Sequence, residues 1–159
     1  MFSRATILFV TLILFGPGAL ADNHSPWGHA RLTPTEYKPL KVVYDVTTGD
    51  PEVLAHVLDR VSYLSKITGA DPFDQSIVLV LHGASPALFA IEHYDRYQAL
   101  QRRAQSLTVG NLVTIRMCKL AAEGLGYRPE DIQGFVEMVP MGDAEIVRLQ
   151  YEEHHAYMQ

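Results

Sequence analysis

Ile77-Val78-Leu79-Val80-Leu81, followed at once by His82-Gly83, is the stretch that decides the fold. An apolar run without alternation predicts a strand covered on both faces, the condition of a strand inside a parallel sheet. Working outward, Lys41–Val46 (KVVYDV) and Leu112–Met117 (LVTIRM) have the same apolar, β-branched character, and Phe135–Val139 predicts a fourth strand. Helical patterns separate them. Asp50-Pro51 reads as an N-cap followed by proline at the first helical position, and Val53, Leu54, Val57, Leu58, Val61, Leu64 and Ile67 fall on one helix face before Gly69 closes it. Ser85-Pro86 predicts another helix start, and Tyr94 to Gln105 one or two surface helices. Lys119–Leu125 predicts a short helix closed by Gly126, Arg128-Pro129-Glu130-Asp131 a brief turn, and Gly142-Asp143 the cap of a last helix. Ala156-Tyr157-Met158 is expected as a fifth, edge strand. The alternation predicts an α/β layered fold with a mostly parallel five-stranded sheet.

The chain has 159 residues with 13 Lys+Arg against 18 Asp+Glu, a formal net charge of -5. That length predicts one domain, and the acidic balance excludes a binder that holds nucleic acid by neutralising phosphates. A single cysteine, Cys118, excludes an internal disulfide framework and any Cys-rich zinc or iron–sulfur centre. Residues 1–21 read as a signal peptide: Arg4, an apolar stretch from Ala5 to Phe15, the Gly16-Pro17-Gly18 break and a small-x-small Ala19-Leu20-Ala21 site. The apolar stretch falls short of the ~20 residues that span a bilayer. The expectation is an exported, periplasmic chain with no membrane attachment after cleavage. Residues 22–39, with Pro26, Pro34, Pro39 and Trp27, read as an extended arm, and 40–159 as the single folded domain.

In parallel α/β sheets, sites lie at the C-terminal strand edge, where strand order reverses. The segments reaching that edge are Asp45 to Gly49, His82-Gly83 and Cys118. Cys118 is the candidate nucleophile: at the start of a helix, the positive dipole end favours thiolate over thiol, and Lys119 stands beside it. The alternative is a small buried hydrophobe at a strand–helix junction. His82 is the candidate proton donor or acceptor. Glu152-Glu153-His154-His155 reads as a solvated helix end. Cleavage after Ala21 would expose Asp22-Asn23-His24, whose amine, backbone amides and imidazole close the square-planar nitrogen set that Cu(II) prefers.

From Lys41 to Tyr157 the chain resembles the DsrE/DsrF-like family, and more closely its small exported branch. The resemblance rests on KVVYDVTTGDPE, IVLVLHG, LVTIRMCKLAAEGLGYRPEDI and FVEMVPMGDAEIVRLQYEEHHAYM, in that order. It implies a flavodoxin-like (DsrEFH-like) α/β sheet, assembly into trimers or hexamers, and a sulfur-relay role in which the cysteine matching Cys118 carries a persulfide. Lys119-Leu120-Ala121-Ala122 stands where many relatives have a small polar stretch.

Together these features lead to an expected periplasmic sulfur carrier. Cys118 would accept sulfane sulfur from a donor and pass it to an acceptor thiol; His82 would manage protons, Lys119 would stabilise the thiolate, and no cofactor would be needed. Two other classes are a non-catalytic oligomeric binding or assembly module, and a Cu(II)-binding protein acting through Asp22-Asn23-His24.

Overall fold

A computed structural model describes residues 28–159; the expected signal segment, Asp22-Asn23-His24 and Trp27 lie outside them. Residues 28–39 are exposed and without regular secondary structure. Residues 35–159 form one compact unit.

Its sheet consists of β1 (Lys41–Val46), β2 (Ser76–Leu81), β3 (Val113–Cys118), β4 (Glu137–Val139) and β5 (Ala156–Met158). All four pairings are parallel, and the order is β4-β3-β2-β1-β5. The helices are α1 (Pro51–Ile67), α2 (Tyr94–Thr108), α3 (Lys119–Gly124) and α4 (Gly142–Glu153). The expected flavodoxin-like α/β architecture is therefore present. The first four strands step in one direction across the sheet, and β5 then adds on the far side of β1, so order reverses between β1 and β5.

Strand alternation divides the core into two unequal layers. Val42, Tyr44, Val46, Ile77, Leu79, Leu81, Ile115 and Met117 point to one face, where they are buried against Leu54, Leu58 and Val61 of α1, Ala104 of α2 and Ala122 of α3. Val43, Val78 and Val80 point to the other and meet only Ile146 and Leu149 of α4. Each fully buried Leu or Ile contributes about 1.5–3 kcal/mol, so the three-helix layer carries most of the stability. The thinner layer leaves space for polar side chains at the C-terminal edge of the strands.

The cap of α1 is as expected: Asp50 accepts a 2.8 Å hydrogen bond from the Glu52 amide, with Pro51 at the first position. Ser85-Pro86 behaves otherwise. Ser85 is the first residue of a 3-10 turn (Ser85–Phe89), and a second such turn covers Ile91–His93. The Ser85 hydroxyl donates to the carbonyls of Val46 (3.0 Å) and His82 (2.8 Å), tying the end of β1 to the loop after β2 rather than capping a helix. Gly83 makes that loop feasible. Its φ is +59°, and a Cβ there would lie 3.0 Å from the Thr47 carbonyl oxygen.

The polar end of α4 is not fully solvated. His154 adopts a left-handed conformation (φ 60°) that ends the helix and turns the chain into β5. His155 is then buried, with its Nδ1 3.3 Å from the Leu149 carbonyl and its Nε2 3.0 Å from the Ser76 hydroxyl. Burial pushes the imidazole below its ordinary value of 6.5, opposed by the Leu149 carbonyl and Glu153. The unfolded chain takes up a proton at that ordinary value while the folded chain resists it. The stabilisation is therefore complete above about pH 6.5 and is lost as pH falls, with a slope of up to ~1.4 kcal/mol per pH unit. His155→Gln is expected to flatten this part of the stability profile, measured as urea midpoints between about pH 7 and 5. A slope unchanged by the substitution would remove His155 as its source.

Candidate active site

Strand register assembles the site. In the β2–β3 ladder Leu81 faces Met117, so the next residues, His82 and Cys118, come side by side at the C-terminal edge. Asp45 faces Val80, and Val43 faces Tyr157 of β5. By alternation Tyr157, Asp45, His82 and Cys118 all project to the thinly covered face. They form a row over four adjacent strands, β5, β1, β2 and β3, and the row straddles the point where strand order reverses.

Hydrogen bonds join three members of the row. The Tyr157 hydroxyl donates to Asp45 Oδ2 at 2.6 Å, and Asp45 Oδ1 lies 2.5 Å from His82 Nε2. A carboxylate oxygen without a proton can only accept, so in this bond Nε2 is the donor. The side chains of Asp45 and His82 are 17% and 18% exposed, dry enough to strengthen their interaction but open to a small solute. Tyr157 is more exposed, and its bond to Asp45, followed by burial, raises the phenol above its ordinary range.

Cys118 completes the row from the inside. It is the last residue of β3 and the N-cap of α3, and only 6% of its surface is exposed. No hydrogen bond links its thiol to the His82 ring. The contact between them is Gly142, the first residue of α4: a Cβ at Gly142 would lie 3.2 Å from the Cys118 Cβ and 3.3 Å from the His82 Cβ. The absence of a side chain there lets the start of α4 settle on both residues. The first residue of the 12-residue α4 thus lies against Cys118, which is itself the N-cap of the short α3.

Of the residues expected from sequence, Cys118 and His82 are brought together. Lys119 is half-exposed, and its Nζ is 3.4 Å from Glu123 Oε1 on its own helix, so its charge has a partner other than the thiol. Arg116, two residues before Cys118 on the same face, donates to Glu137 (3.1 Å) and to Glu145. In the sequence Asp45 stands at the edge without an assigned role, and neither Tyr157 nor Gly142 is marked as functional. Asp45 was detectable as the carboxylate interrupting the apolar run after Lys41 in KVVYDV; nothing local marks the other two.

A cleft of about 500 Å³ lined by Ile91, Glu92, Leu125, Tyr127, Glu130 and Asp131 shares no residue with the row. Among the described residues, no group of three or more His, Cys, Asp or Glu side chains is placed to hold a metal ion. No helix among them is long and apolar enough to cross a membrane.

The fold and site define an α/β protein with a cysteine, a carboxylate-held histidine and a tyrosine in line along one sheet edge. No family model matches the chain, and no curated protein matches it. It is similar to the solved structure of a protein of unknown function from Methanobacterium thermoautotrophicum, with a TM-score of 0.60 and 22% identity over 75% of this chain and 97% of that one. That likeness shows the fold.

Proposed function

We propose that the chain is an exported sulfur carrier of the DsrE/DsrF-like kind, working as a homo-oligomer, with Cys118 as the carrier. The observation that supports this reading most is the meeting of Cys118 and His82 on either side of Gly142, with His82 held by Asp45. A nucleophilic cysteine needs a base to accept its proton and a positive field to stabilise the thiolate; His82 and the two helix N-termini supply both kinds of group.

The chemistry is exchange without net redox change. The Cys118 thiolate attacks the outer sulfur of a persulfide or polysulfide donor. A bond forms from Cys118 Sγ to that sulfur, the donor's S–S bond breaks, and the departing thiolate takes a proton from the His82 imidazolium. In the second half, an acceptor thiolate attacks the outer sulfur of the Cys118 persulfide, and Cys118 leaves as the thiolate. His82, left neutral by the first half, takes the acceptor's proton, so the second half restores the Cys118 thiolate beside a His82 imidazolium.

Intact mass spectrometry before and after incubation with a polysulfide tests the reading. The protein is expected to gain one or more sulfur atoms, to lose them on reduction, and to gain none in Cys118→Ser. Sulfur gain that survives Cys118→Ser would overturn it. The burial of Cys118 favours a second reading, a non-catalytic assembly module in which the thiol only fills the β3–α3 junction. Failure of the folded native chain to take up sulfur supports that module.

A further inference from the structure

We propose that Tyr157 is a positioning residue for this site: its hydroxyl locks the Asp45 carboxylate, and through it the His82 ring, in the orientation that serves Cys118. The inference rests on the sulfur-carrier reading for its consequence but not for its geometry.

A carboxylate on a short side chain can rotate about its last bond and exchange its oxygens. One hydrogen bond to His82 does not stop that motion; a second donor on the other oxygen does. Tyr157 provides it, with Oδ2 receiving the phenol at 2.6 Å while Oδ1 faces His82 at 2.5 Å. The bond also raises the phenol above its usual range, which keeps it protonated and therefore a donor.

The element that delivers Tyr157 gives the core a single side chain, Met158. β5 is three residues long, its Ala156 and Tyr157 are exposed, and Met158 is its only partly buried member. Yet it is fastened at both ends. His155 anchors its start to Ser76 and Leu149, and Arg60 on α1 donates from Nη1 to the Gln159 carbonyl at 3.0 Å. Pairing with β1 from Val42 to Tyr44 then sets Tyr157 opposite Val43, one step of the pleat before Asp45 on the same face. Apart from Met158, which packs against the core, so short and exposed a strand gains little from burial, and its fixed register also places Tyr157 at Asp45.

The test uses Tyr157→Phe in the full folded chain, which keeps the ring and removes only the hydroxyl. The first readout is the His82 Nε2 proton, followed by NMR as its lifetime against exchange with water. Loss of the lock is expected to shorten that lifetime about tenfold while the thermal midpoint stays within about 2 °C, because one exposed hydroxyl adds little to stability. The second readout is the rate of sulfur uptake from polysulfide, expected to fall about three- to tenfold. An Nε2 proton lifetime unchanged in Tyr157→Phe overturns the inference, whatever the uptake shows. A shortened lifetime in a protein that takes up no sulfur supports the role of Tyr157 and overturns the carrier reading instead.

Discussion

Gly142→Val is expected to lower the rate of sulfur uptake by Cys118 about a hundredfold. The Cβ alone falls 3.2 Å from the Cys118 Cβ and 3.3 Å from that of His82, closer than such atoms normally approach, and valine adds two further methyl groups. Neither neighbour is free to withdraw: Cys118 is fixed at the end of a central strand, and His82 is tied to Asp45. The start of α4 must lift or the two residues must part, and an ångström of misplacement is enough for such a loss. Overpacking of this kind also costs about 1–3 kcal/mol of stability. Gly142 does not have a positive φ, so the cost arises from contact and not from backbone conformation. Gly124 in α3 is the control, because nothing lies within 4 Å of its missing Cβ. Gly124→Ala is expected to stabilise by up to about 1 kcal/mol, by limiting the unfolded chain. Uptake rates from polysulfide and urea midpoints check both; a Gly142→Val protein that loads sulfur at the native rate would refute the assigned contact.

Glu145→Ala is expected to destabilise the fold by about 2–3 kcal/mol, the largest effect of any single charged residue on the α4 face. Glu145 is mostly buried and accepts from Arg148 through Nε (3.0 Å) and Nη2 (2.8 Å), and from Arg116 through Nη1. Arg116 also holds Glu137 of β4, and Arg148 holds Glu153 at 2.7 Å, so one carboxylate joins β3, β4 and both ends of α4. Without it two guanidinium groups remain half-covered with part of their donors unmatched. The Arg148 hydrogen bonds, ahead of the charge of Arg116, hold the Glu145 carboxyl below its ordinary value of 4.5. A depressed carboxylate stabilises the fold fully above its unfolded value and loses that contribution as pH falls through the folded one. The difference between native and Glu145→Ala proteins is therefore expected to be constant near neutrality and to shrink below about pH 4.5. Urea denaturation across that range measures it. Arg128→Ala is the contrast: Arg128 and Glu130 are exposed and Asp131 is partly so, and removing the arginine is expected to cost under about 1 kcal/mol. An equal cost at the two positions would show that the Glu145 network contributes no more than a surface pair.

The apolar runs make the architecture legible in sequence. Ile77–Leu81 can be apolar throughout only if both faces are covered, and β2 is indeed flanked by β1 and β3 with helices above and below. Asp50-Pro51 could be read because a cap acts over three residues. Ser85-Pro86 could not, since the carbonyls that capture the Ser85 hydroxyl include that of Val46, 39 positions away. The site divides the same way. Cys118 and His82 were candidates because each ends a strand, but their adjacency depends on the register of β2 against β3. Tyr157 was beyond reach because β5 adds beside β1 and not beside β4, and no local pattern states which edge a last strand takes. His155 looked solvated among Glu152, Glu153 and His154, and is buried only because the left-handed turn at His154 folds it under the sheet.

The row across four strands also exists only once the strands have docked. Tyr157 and Asp45 are separated by 112 positions and Asp45 and His82 by 37, so these contacts form only when distant segments of the chain come together. Until β1, β2 and β3 have docked, Cys118 is an isolated thiol with no imidazole beside it. The placing of Cys118 beside His82 and its enclosure under Gly142 thus depend on the same docking of strands. If Cys118 carries sulfur as proposed, sulfur uptake would itself report completed folding.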